Sequence, residues 1–147
     1  MKRYHLPHCL TLLLISGCTS APMEPSAGEA LPACGPLPNC VNSESGDGSK
    51  AINPIEASEA EWRRLKAWLA AQDDWTITSD TGDFVQAVNT TPLMRFRDDV
   101  QLRFDASSGL IQVRSSSRLG IGDMGANRTR VEMLRQRTAS ETANPGQ

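Results

Sequence analysis

Apolar and polar positions change their period several times along this chain, and each change marks an element. After Ser58, the residues Trp62, Leu65, Trp68 and Leu69 recur at helical spacing, with Arg63, Arg64 and Lys66 on the other side. That pattern predicts an amphipathic helix, with the tryptophans anchoring a core rather than caging a ligand. Ser58 and Glu61 form an S-x-x-E capping box at its start. From residue 75 the period shortens to two. Trp75 to Ser79 alternates, with Trp75 and Ile77 on one face, and the turn Asp80–Thr81–Gly82–Asp83 leads into Phe84 to Thr90. Val100, Leu102 and Phe104 then alternate with Gln101 and Arg103, and Ile111 and Val113 alternate with Gln112 and Arg114 in the segment Leu110 to Ser117. These are four predicted strands. Asp105–Ala106–Ser107–Ser108–Gly109 reads as a hairpin loop, with Gly109 supplying the positive φ.

The hairpin fixes a register. If Phe104 pairs with Ile111, Leu102 meets Val113 and Gln101 meets Arg114. Asp99 then sits diagonal to Arg114 on the outer face, within reach of a charge pair. Asp98 and Asp99 are adjacent on this strand, so their side chains point to opposite faces. A last helix is predicted to begin near Asp123, a good N-cap, with Asn127, Val131 and Leu134 on one stripe and Arg128, Arg135 and Arg137 elsewhere. The fold class that follows is α+β: an antiparallel four-stranded sheet flanked by an N-terminal and a C-terminal helix, both on one face. In the polar stretch 113–130, Val113, Leu119, Ile121 and Met124 are the side chains expected in the core.

The N-terminus breaks with this pattern. Lys2 and Arg3 precede the apolar run Leu10 to Ile15, which is too short to span a bilayer as a permanent helix. The ending Leu14-Ile15-Ser16-Gly17-Cys18 resembles a bacterial lipobox. That resemblance implies cleavage before Cys18 and a diacylglycerol on its sulfur. Residues 1–17 then form a lipoprotein signal peptide, and the Pro-, Ala- and Ser-rich residues 18–35 a flexible tether. A single domain is expected over 36–138, with a disordered tail at 139–147. The implied location is the bacterial cell envelope. Thr19 lacks the aspartate that retains many such lipoproteins at the inner membrane, which points to the periplasmic face of the outer membrane.

Composition sharpens this picture in two ways. Apolar residues are 39% of the 147 and aromatics only 5%, so the core is modest. The formal net charge of -2 falls to -4 without Lys2 and Arg3, and it is unevenly spread. Residues 18–94 carry a net -7, whereas residues 95–137 carry +4, with arginine as every basic residue. Charge balance between the two halves explains this better than nucleic-acid binding in an acidic, exported protein.

Four cysteines narrow to two. Cys9 leaves with the signal and Cys18 takes the lipid, leaving Cys34 and Cys40 around a proline- and glycine-bearing turn. An oxidising compartment permits a disulfide between them. It would stabilise by roughly 2 kcal/mol in the chain-entropy model. A two-cysteine metal site is the rival reading, but His5 and His8 both lie in the signal. The spacing is not C-x-x-C, so thiol redox chemistry does not fit. No metal and no cofactor is expected.

Three segments together resemble a bacterial family known as domain of unknown function 1499: PNCV at 38–41, DDVQLRF at 98–104, and VRSSSRLGIGDMGANRTRVEMLR at 113–135. The family pattern runs roughly P-N-C-V-S-S, F-x-D-D-V-E-F and R-S-x-S-R-x-G-x-x-D-x-G-x-N-R-x-R, and the resemblance covers residues 36 to 137. The chain departs from it at Asn42, where serine is usual, and at Gln101, where an acid is usual. A histidine that the family often carries between Cys40 and Ile55 is missing. The resemblance supports the domain boundaries and brings no activity with it.

The third segment holds the candidate chemistry. Arg114, Ser115, Ser117, Arg118, Asp123, Asn127 and Arg128 flank a glycine turn at Gly120 and Gly122 before a helix start. Arginine forks and helix-start N–H groups suit an anion, so these residues are expected to converge on a phosphate or carboxylate. The alternative is structural: Arg114 pairs with Asp99, Asp123 caps the helix and Asn127 bonds backbone beneath it. The stretch lacks Gly-Lys-Ser and G-x-S-x-G, so neither a phosphate loop nor a serine-hydrolase elbow is present. No catalytic residue is assigned. Three classes remain: a lipid-anchored envelope protein binding an anionic small molecule or envelope partner, an accessory envelope protein whose motif only stabilises the fold, and a histidine-independent enzyme using Asp99 or Asp123 beside Arg118.

Overall fold

The computed structural model describes residues 28–140. The signal peptide, Cys18, most of the expected tether and the final seven residues lie outside the described residues. In chain order the elements are β1 (Cys40–Asn42), β2 (Ile55–Glu56), α1 (Glu59–Ala70), β3 (Trp75–Asp80), β4 (Phe84–Thr90), β5 (Arg97–Asp105), β6 (Leu110–Ser117) and α2 (Ala126–Ser140). The class is α+β, as the period changes predict.

The sheet is antiparallel, in the order β1-β6-β5-β4-β3, with β2 also paired to β6. It therefore has six strands rather than the expected four. The two additional strands share one edge: β1 pairs with Arg114 to Ser116, and β2 with Leu110 and Ile111. Segments of three and two residues are too short to show a period. The central hairpin has the predicted register, with Gln101 opposite Arg114, Leu102 opposite Val113 and Phe104 opposite Ile111. Gly109 closes it at φ +67. Hydrogen bonds from Ser107, and then Ser108, hold the Asp105 carboxyl down to about 2.

Both helices cover one face. Trp62, Leu65 and Leu69 of α1 and Val131 and Leu134 of α2 bury against Val85, Ala87, Val100, Leu102, Ile111 and Val113. The capping box forms as predicted: the Ser58 side chain accepts from the Glu61 backbone, and Glu61 reaches back to the Ser58 N–H. Trp62 stacks on Phe104 with 5.9 Å between ring centres, and its Nε1 donates to the Gly82 carbonyl at 2.8 Å. The tryptophans are core anchors.

Both ends of the domain extend past their expected limits. Leu31, inside the expected tether, is buried. Its N–H donates to Glu44 at 2.6 Å, and Asn42 Nδ2 donates to the Pro32 carbonyl at 3.1 Å. Cys34 and Cys40 are joined in a disulfide with Cα atoms 5.7 Å apart, which fastens this strap to β1. At the other end α2 continues to Ser140. The polar stretch needs a larger correction. Val113 is in the core, but Leu119, Ile121 and Met124 stand in solvent. The chain leaves the sheet at Ser117, so the residues that follow have no opposing layer to bury them.

Candidate functional site

The seven candidate residues do not converge. Strand alternation and the helix register send them to three places. Ser115, Ser117, Asp123 and Asn127 gather between β6 and the start of α2. Arg114 and Arg118 lie on the opposite face of the sheet. Arg128 turns away from both, donating to the Ala51 carbonyl at 3.1 Å and so fastening the loop between β1 and β2.

Asn127 organises the inner group. It is fully buried. Its Oδ1 accepts from Ser115 Oγ at 2.6 Å and from Arg130 at 2.7 Å. Its Nδ2 lies 2.6 Å from Asp123 Oδ2, 2.9 Å from the Asn39 carbonyl and 3.0 Å from Ser117 Oγ. Asn39 is thereby tied to the motif, and Ser117 N–H donates back to its carbonyl at 2.9 Å. One turn along the same helix face, Arg130 reaches under α2. Its Nε donates to Asn89 Oδ1 at 3.0 Å, one terminal nitrogen to Ser115 Oγ at 2.9 Å, and the other to the Asp98 carboxylate. Asp98 is 3% and Arg130 7% exposed, so this is a buried ion pair. The Nε and the other terminal nitrogen of Arg130 bond neutral side chains, which helps such a buried pair to be tolerated.

Asp98, Arg130, Asn89 and Asn39 were not among the sequence-predicted residues. Two signals were available for the first two. Asp98 takes the core-facing phase of β5, and Arg130 follows Asn127 by three positions on the buried stripe. Asn89 and Asn39 carry no local signal, because partners 41 and 88 positions away bring them in.

The helix start is already occupied. Asp123 accepts from the N–H of Asn127 at 2.9 Å and of Gly125 at 3.0 Å. Burial alone would raise its carboxyl, but these N–H groups overcome that and hold it below the usual carboxylate range. A bound anion at this N-terminus would have to displace a resident carboxylate.

The outer face differs from the expected pairing. Asp99 meets Arg118 rather than Arg114. The contact is two-pronged, from Arg118 Nε at 2.9 Å and a terminal nitrogen at 2.7 Å. Hydrogen bonding to Asp99 raises the Arg118 pKa. Arg114 has no ion pair among the described residues. One terminal nitrogen lies 3.4 Å from Gln101 Oε1, and its buried Nε has no partner among the described residues. Burial lowers the Arg114 pKa, with Asp99 opposing from a distance. No hydrogen bond or ion pair joins Arg118 to Asp123, so of the two pairings considered for acid–base chemistry only Asp99 beside Arg118 forms, and there both carboxylate oxygens are engaged by the guanidinium.

A cleft of about 1090 Å³, lined by residues including Asn53, Glu56, Ser58, Ser108 and Arg135, lies at the far end of the sheet, beside the β5–β6 hairpin. It contains none of the candidate residues. Among the described residues no helix is long and apolar enough to cross a membrane. The sequence model of a family described as a protein of unknown function, DUF1499, matches residues 30–137. No curated protein matches the chain.

Proposed function

The chain belongs to the DUF1499 family, and from that premise we propose that it is a lipid-anchored protein of the bacterial cell envelope whose arginine-rich motif serves as an internal scaffold. The observation that carries the scaffold half is the environment of Arg130. Every nitrogen of its guanidinium is hydrogen-bonded inside the protein. A ligand would have to break a buried pair to reach it, which costs several kcal/mol in comparable sites.

The anchor half rests on sequence. The Leu14 to Cys18 ending, the short apolar run and the basic start all fit a lipoprotein signal. The periplasmic face of the outer membrane is the proposed location, from Thr19. The test is the mass of the mature N-terminus together with fractionation. Acylated Cys18 is expected, and Cys18→Ser should leave the precursor uncleaved. An unmodified N-terminus at another residue contradicts the anchor.

A second reading is favoured by Arg114 alone. This half-buried cation has one long hydrogen bond and an orphaned Nε. It is the place on the motif where an anionic small molecule or a partner's carboxylate would gain a contact without displacing an ion pair. Calorimetric titration with inorganic phosphate should give heat in the parent protein and none in Arg114→Gln. No heat in the parent at millimolar phosphate removes this reading.

A further inference from the structure

All the exposed large apolar side chains among the described residues fall at one end of the sheet. Leu93, Met94 and Phe96 lie in the loop between β4 and β5. Leu119, Ile121 and Met124 lie between β6 and α2. Leu37 joins them from the turn before β1, where Pro38 lies beside Gly122. The two loops leave adjacent strand ends, since Asp98 pairs with Ser117. Neighbouring strands lie about 4.8 Å apart. Leu93 is 90% exposed, Ile121 77%, and Met124 entirely so.

Three further features mark these tips. Arg95 and Met124, one in each loop, are the non-glycine residues at positive φ among the described residues, at 55° and 52°. That region suits glycine or asparagine, not a long side chain. Arginine alternates with apolar residues in Leu93-Met94-Arg95-Phe96-Arg97, and neither Arg95 nor Arg97 has an ion pair among the described residues. The acids at this end are otherwise engaged or peripheral. Asp99 holds Arg118 and Asp123 caps α2. Asp74 accepts from Asn89 and, with Asp73, precedes the edge strand β3.

We propose that this end of the sheet docks on an anionic phospholipid surface, with the two loop tips entering the headgroup region and Arg95 and Arg97 meeting lipid phosphates. Protruding apolar tips flanked by unpaired arginines fit a soft interface, where long basic side chains keep their charge at headgroup level. The chain outside the described residues fits the same surface. Thirteen positions separate Cys18 from Leu31, a reach of up to about 45 Å. The nine residues of β5 span only about 30 Å. An acylated Cys18 and the loop tips can therefore share one membrane plane. This proximity rests on the anchor proposed above; the surface itself does not.

The experiment removes the anchor. The chain from residue 18 to 147 carrying Cys18→Ser keeps all of residues 28–140 and lacks any acyl group. It is sedimented with vesicles of mixed phosphatidylglycerol and phosphatidylcholine, or of phosphatidylcholine alone. Binding to the anionic vesicles is expected, and roughly tenfold or more weaker binding without the anionic lipid. Leu93→Ser, Ile121→Ser and Met124→Ser together should abolish it while leaving the urea midpoint unchanged. Arg95→Gln with Arg97→Gln should weaken it on anionic vesicles only. No sedimentation of the parent chain, or equal sedimentation of the triple variant, overturns the proposal. So does a concentration-dependent dimer that disappears in the triple variant without any vesicle binding, which would assign the tips to a second copy. The mass of native Cys18 is read separately. An unacylated Cys18 with intact vesicle binding defeats the anchor and leaves the docking surface standing.

Discussion

Asp98 and Asp99 are neighbours on β5, and each meets an arginine of the same motif, yet they occupy different electrostatic worlds. Asp98 faces the helices and meets Arg130, and both side chains are almost wholly out of water. Asp99 faces the other way and meets Arg118; its own side chain is only 11% exposed, but that of Arg118 keeps 39% of its surface in water. The contact chemistry is the same in both pairs. Solvation separates them. A buried pair that loses one partner leaves an uncompensated charge, whereas a pair at the surface exchanges protein contacts for water. The motif is therefore scaffold on its inner side and adjustable on its outer side.

The sharpest way to break the inner half is Arg130→Ala. It should destabilise the domain by about 3–5 kcal/mol, because Asp98 is left buried without a counter-charge. Urea unfolding followed by tryptophan fluorescence reads this directly. A loss no larger than that of an exposed arginine would mean that water enters the site.

Asn127→Ala comes next, at roughly 1–3 kcal/mol. It strips partners from Ser115, Arg130 and the Asn39 carbonyl together. Asn39 precedes β1, so amide exchange should quicken along β1 as well as at the start of α2. Unchanged exchange in β1 would show that its pairing with β6 and the disulfide to Cys34 hold that strand without Asn127.

Asp123→Ala removes the cap at a cost of about 0.5–2 kcal/mol. It also carries a pH signature. The folded Asp123 carboxyl lies below its unfolded value, so its contribution is complete above about pH 4 and fades as pH falls through the folded pKa. The parent and the variant should therefore differ near neutral pH and converge in acid. A gap that stays constant down to the acid limit would contradict the capping role.

Arg118→Ala should cost least, about 1 kcal/mol, since Arg118 is partly solvated and Asp99, 11% exposed, keeps some access to water. A loss comparable to that of Asn127→Ala would move the outer pair into the scaffold.

The legible part of this molecule is the part governed by short-range periodicity. Alternation at Val100, Leu102, Phe104, Ile111 and Val113 was enough for the hairpin and its register, because one face had to be buried. Ser58 and Glu61 marked the first helix by a local hydrogen-bond pattern. The edge strands were invisible, since β1 and β2 exist only because β6 offers them a ladder. The site was half legible. Ser115, Ser117, Asp123 and Asn127 do meet, but density in sequence misled for Arg114, Arg118 and Arg128. A strand followed by a helix sends residues of one short segment to both faces and around the helix. Leu119, Ile121 and Met124 mislead for a related reason: an apolar side chain on a loop tip has nothing to pack under.

Matched substitutions at the two neighbours test the division most directly. Asp98→Asn and Asp99→Asn change the same atoms one position apart on the same strand. Measured side by side by urea unfolding, Asp98→Asn should lose about 3–5 kcal/mol and Asp99→Asn less than about 1. Equal losses, or a larger loss for Asp99→Asn, would contradict the account of an inner scaffold and an outer adjustable face.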